Sequence, residues 1–67
     1  MNYNERIKKA RIEKKLNQEE IAKLLGITRG CYAHYEQGVR EPSLELLKKI
    51  CIVLDISSDY IIGLSEY

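Results

Sequence analysis

Residues 18–37 limit the possible folds of this chain more than any other stretch. Counted from Gln18, apolar side chains stand at places 4, 8, 10, 15 and 18, which are Ile21, Leu25, Ile27, Tyr32 and Tyr35. Ala22 holds place 5 and Gly26 place 9. This spacing predicts two short helices joined at Gly26, crossing where a small side chain lets them approach. Asn17 starts the first helix. Its side chain can accept from a free backbone N–H, and Glu20, three residues on, can return a bond as a capping box. Gly26 stops that helix, because glycine alone enters the left-handed region without strain. Thr28 caps the second helix, which runs to about Gln37 and ends at Gly38. Tyr32, Tyr35 and Glu36 share one side of it. Gly30, Ala33, His34 and Gln37 fall on the other, and Arg29 projects from the first turn.

Three more helices complete the pattern. One covers about residues 5–15, where Ile7, Ala10, Arg11 and Lys14 follow a 3-4 spacing that puts Arg11 on the inward stripe. Leu16 then turns the chain inward. Pro42 breaks the next loop and Ser43 caps a helix over roughly Leu44–Leu54, with Leu44, Leu47, Cys51 and Leu54 on its stripe. The last starts after Ser57 and includes Tyr60, Ile61 and Ile62 before Gly63. We expect a compact all-α domain of five helices spanning 1–67, with its core in 5–63 and a frayed tail at 64–67.

A chain of 67 residues buries only about 60% of the surface its unfolded form exposes, so it has room for one core. That core is aliphatic, with nine Ile, eight Leu, no Trp and no Phe. No apolar run approaches the roughly 20 residues of a membrane span. The charged, polar start does not read as a signal peptide, so a cytoplasmic protein is expected. Cys31 and Cys51 both fall in predicted helices and are expected reduced, as small half-buried hydrophobes. With one His, no phosphate-binding glycine loop and no paired acids, the chain is not expected to be an enzyme or to need a cofactor. Cys31 and His34 place two potential ligands one turn apart, whereas a metal site needs three or four, so no metal is expected.

The net charge of +1 does not by itself suggest a polyanionic partner. Its distribution does. Residues 1–15 carry Arg6, Lys8, Lys9, Arg11, Lys14 and Lys15 against Glu5 and Glu13, a net +4. Residues 55–67 carry Asp55, Asp59 and Glu66 and no base, a net −3. Such asymmetry can orient a protein on a polyanion. A solvated helix face is the plainer alternative for an isolated Lys-rich helix.

The stretch from Arg6 to Ile62 resembles the Cro/repressor-type (XRE, lambda repressor-like) helix-turn-helix domain. The resemblance is carried by Arg11, Asn17-Gln18-Glu19-Glu20, Ile21-Ala22, Leu25-Gly26-Ile27, Tyr35-Glu36-Gln37-Gly38 and Pro42-Ser43. The closing run from Leu54 to Ile62 also fits. It implies that the second helix of the pair lies in a DNA major groove. Two residues depart from the family pattern. Tyr32 stands where Ile or Val is usual, and its hydroxyl needs a partner or solvent, since a buried unpaired one costs about 1–3 kcal/mol. Gly30 leaves bare a position the family often uses to read bases, and weakens the helix by about 1 kcal/mol relative to Ala.

The resemblance assigns base reading to the outer face of this helix: Arg29, Gly30, Ala33 and His34. Arg29 can match guanine O6 and N7 with two donors, or hold a phosphate from the same place. His34 can bond a base edge or phosphate, or stand in solvent. Ala33 can touch a thymine methyl, or serve helix propensity alone. Gly30 can let the helix approach the bases, or reflect neutral drift. Phosphate contacts fall to Gln18 at a helix N-terminus, to Asn17 and Thr28 beside their capping roles, to Arg40 in the following loop, and less definitely to Arg6 and Lys9. Arg11 and Glu36 are implied as a structural ion pair between helices. Glu19 and Glu20 are explained by favourable placement at a helix N-terminus, although some family members present such acids to RNA polymerase.

One such domain reads few base pairs, and the family pairs two copies on half-sites about 34 Å apart. Leu46, Ile52, Val53, Ile62 and Leu64 exceed what one inward stripe can hide, so a homodimer through the last helix and its approaches is expected. Packing against the first helix, beside Ile12, is the alternative. With no room for a sensing domain, control would come from concentration, dimerisation, RNA polymerase or an antagonist protein. The expected function is a transcriptional regulator, by default a repressor, on a pseudo-palindromic double-stranded DNA operator. The competing readings are a protein-interaction module of the same fold without DNA, and an antitoxin-like autoregulator.

Overall fold

The computed structural model describes residues 3–62, apart from the side chains of Ser58 and Ile62. Five helices follow in order: α1 (Tyr3–Glu13), α2 (Gln18–Leu25), α3 (Arg29–Gln37), α4 (Leu44–Leu54) and α5 (Ser58–Ile62). Four of the five starts have a local cause, a capping side chain. Asn17 Oδ1 accepts from Glu20 N at 2.7 Å, while Glu20 Oε1 accepts from Asn17 N at 2.9 Å, closing the capping box. Thr28 Oγ1 accepts from Cys31 N, and the Ser43 and Ser57 hydroxyls accept from Leu46 N and Tyr60 N, each at 3.1 Å. Such caps satisfy N–H groups that the first helical turn leaves free.

The ends are less uniform. Gly26 and Gly38 are left-handed, at φ 74° and 75°. Asp55 closes α4 in the same region without being glycine, at φ 54°. The first helix stops at Glu13, two residues short of the expected end, because Lys15 is left-handed at φ 59°. That turn lets Leu16 N donate to Arg11 O at 3.3 Å and brings the Leu16 side chain against the core.

The core lies where α1, α2, α3, α4 and α5 meet: Ile7, Ala10, Ile21, Ala22, Leu25, Tyr32, Tyr35, Ile50, Leu54 and Ile61 are buried together. Helix α2 packs on α3 and α4, and α1 packs on α3 and α5. The expected stripe of α4 needs correction at Leu44 and gains Ile50. Leu44 is 75% exposed, Leu47 and Cys51 are half-buried, and Ile50 is fully buried beside Leu54. Leu47 and Cys51 pack on the core as Leu46 and Val53 do, so the inner side is a broad arc centred on Ile50 and Leu54 at helical spacing. Glu45, Lys48 and Lys49 mark its outer side, with Ile52 among them and Leu44 at the border, so both exposed apolar residues stand on or beside a polar face.

Candidate nucleic-acid interface

Helix α3 is fixed from behind by one carboxylate. Glu36 is buried, and Arg11 Nε donates to its Oε2 at 2.6 Å while Nη2 lies 3.3 Å from Oε1. Arg11 Nη1 also donates to Leu16 O at 2.7 Å, tying the turn after α1 into the same group. The Tyr32 hydroxyl donates to Glu36 Oε2, which supplies the partner its burial requires. Gln18 Nε2, from the first turn of α2, donates to Glu36 Oε1 at 3.1 Å. Three helices therefore converge on one buried anion. Burial opposes ionisation of Glu36, but the donors from Arg11, Tyr32 and Gln18 outweigh it and hold the carboxyl below its ordinary range. Burial, followed by the bond to Glu36, pushes the Tyr32 phenol well above its ordinary value. The pair is thus a charged anchor with every close lone pair engaged, the condition under which a buried ion pair holds.

The opposite face of α3 is open. Arg29, Gly30, His34 and Gln37 are exposed, and Ala33 is half-buried. Arg29 shares a shallow polar depression with Asn17, Gln18, Glu19 and the edge of Arg11, so the N-terminal ends of α2 and α3 face the same space. Two helix N-termini and an exposed guanidinium make that space attractive to an anion. Asn17 and Thr28 are exposed, and their side chains enter the capping bonds through acceptor oxygens only. Gln18 is half-buried, with one amide proton committed to Glu36. Arg40 is exposed beside the first turn of α3, its Nη1 3.9 Å from Cys31 Sγ.

Other expected site residues lie elsewhere. Arg6, expected on phosphate, is turned to α5: its Nη1 donates to Tyr60 O at 3.1 Å and its guanidinium sits 4.8 Å from the Tyr60 ring centre. Half-buried and stacked on an aromatic ring, it clamps α1 to α5. Lys9 is exposed on α1. Of the expected dimer residues, Ile52 is 79% exposed, whereas Leu46 and Val53 are half-buried against the core. The Ile62 side chain and Leu64 lie outside what is described. Sequence reasoning missed Asn4, whose Nδ2 donates to Glu36 O at 3.1 Å and fastens α1 to the last turn of α3. No local signal marks that bond, because its partners are 32 residues apart. Among the described residues no group of three His, Cys, Asp or Glu side chains is placed to hold a metal, and no helix is long and apolar enough to cross a membrane.

A family model of helix-turn-helix proteins matches residues 7–61. The chain belongs to the XRE-type helix-turn-helix family. Among curated relatives of this family, the HTH-type transcriptional regulator YqaE of Bacillus subtilis is 47% identical over 60 residues, which cover 90% of this chain and 52% of YqaE. The cryptic phage CTXphi transcriptional repressor RstR of Vibrio cholerae is 38% identical over 48 residues, covering 72% of this chain and 43% of RstR. The chain thus spans about half the length of the curated relatives it matches. Among solved helix-turn-helix structures, the P22 c2 repressor in complex with a synthetic operator superposes with a TM-score of 0.89 at 26% identity, covering 97% of this chain and 98% of that one.

Proposed function

We propose that this domain is a sequence-specific DNA-binding repressor that seats α3 in the major groove of an operator and binds a pseudo-palindromic site as a homodimer. The observation that carries this reading is the division of α3. Its tyrosines and Glu36 are locked inward, so Arg29, Gly30, Ala33 and His34 stand as one fixed outer edge. The likeness to a repressor in complex with its operator supports the same seating. Arg29 reads a guanine edge from the first turn, with Ala33 and His34 one turn on. Gln18, Asn17, Thr28, Arg40 and Lys9 hold phosphates on either side. Arg6 is left out of that set, because its guanidinium is engaged with Tyr60. The second copy meets the α4 surface around the exposed Ile52. Repression needs no added surface, since a bound dimer occludes polymerase.

The test is selection of a preferred duplex from a random pool, followed by affinity measurements across salt. A steep fall in affinity with rising salt marks phosphate neutralisation. A preference over random duplex of about a thousandfold or more marks an operator. Arg29→Ala is expected to cost about 1–3 kcal/mol and to relax one position of each half-site. Arg40→Ala is expected to weaken all sequences alike. A chain that binds no duplex preferentially in this assay refutes the reading.

A further inference from the structure

Gly26 and Gly38 are explained by their left-handed backbone, but Gly30 is not. It sits in the first turn of α3 with ordinary helical geometry, and a Cβ built on it meets nothing within 4 Å. Neither conformation nor internal packing asks for glycine there. Inside a helix glycine is the poorer choice than alanine, so the fold itself would gain from a side chain. What gains from its absence lies outside the chain, on the face assigned above to DNA. The inference therefore rests on that reading. Around Gly30 the helix offers bare backbone, with the Ala33 methyl one turn on and Arg29 alongside. Such a notch carries no side-chain donor or acceptor for a polar base edge. The base-edge group in the major groove that protrudes and is apolar is the C5-methyl of thymine. We propose that Gly30 is a specificity-determining residue that admits a thymine methyl at one position of each operator half-site.

The experiment uses the 67-residue chain, its Gly30→Ala variant and the duplex selected by the unaltered protein, with each thymine replaced in turn by deoxyuridine, which lacks only the methyl. The variant is expected to melt about 4–8 °C higher, so lost binding is not lost folding. It is expected to bind the selected duplex at least about fivefold more weakly. Deoxyuridine at one position should restore most of that loss for the variant while weakening the unaltered protein. An operator that both proteins bind within about twofold overturns the inference alone. So does a loss that no deoxyuridine repairs. An unaltered chain that selects no sequence overturns the DNA reading and this inference together.

Discussion

Helices α3 and α4 are of similar length, nine and eleven residues, and both are two-faced, yet only α4 leaves large apolar side chains exposed. In α3 the division is written locally. Tyr32, Tyr35 and Glu36 are buried, while Arg29, Gly30, His34 and Gln37 face out. In α4 Ile50 and Leu54 are buried and Glu45, Lys48 and Lys49 face out, yet Leu44 and Ile52 remain 75% and 79% exposed beside those charges. A helix with one apolar side declares its own orientation. A charged outer side fixes that orientation even where a few apolar side chains interrupt it.

The comparison can be broken first at its most buried point. Glu36→Ala strands Arg11 and is expected to cost about 3–5 kcal/mol in a urea melt. His34→Ala, on the far side of the same helix, should stay within about 0.5 kcal/mol. Equal losses would mean that α3 is not divided as described. Acid titration sharpens the same point. Because the folded carboxyl is held below its ordinary range, its contribution is present above that range and fades as pH falls toward the folded value. A Glu36→Gln variant should therefore show a flatter stability profile below the ordinary carboxyl range.

Helix α4 offers the next contrast. Ile50→Ala is expected to cost about 2–5 kcal/mol and Leu44→Ala within about 0.5 kcal/mol, both read by thermal or urea melting. A reversal would put Leu44 back on the inner stripe. Tyr32→Phe removes one donor from Glu36 and should cost about 1–3 kcal/mol. The smallest effect concerns the turn after α1. Lys15→Gly relieves a left-handed non-glycine residue and should add up to about 1 kcal/mol, a rise of a few degrees in melting temperature.

What could be read in advance was what is encoded within four or five residues. The Asn17–Glu20 box, the Thr28 and Ser43 caps and the Gly26 and Gly38 stops each depend on atoms close in sequence. The outer edge of α3 followed from the same short-range spacing. Long-range partners were beyond such reasoning. Arg6 and Tyr60 are 54 residues apart, and a lysine-rich helix gives no sign that one of its cations will stack on an aromatic ring. The early end of α1 was hidden because Lys15 has no intrinsic preference for the left-handed region; the pull of Leu16 into the core sets it there.

The convergence of Arg11, Gln18 and Tyr32 on Glu36 has a consequence for how such a protein diversifies. None of the bonds in that knot involves positions 29, 30, 33 or 34. Those four can be rewritten by ordinary mutation without loosening the scaffold, so under the proposed function a descendant, or a designer, can retarget the domain to a different address while inheriting the chassis unchanged.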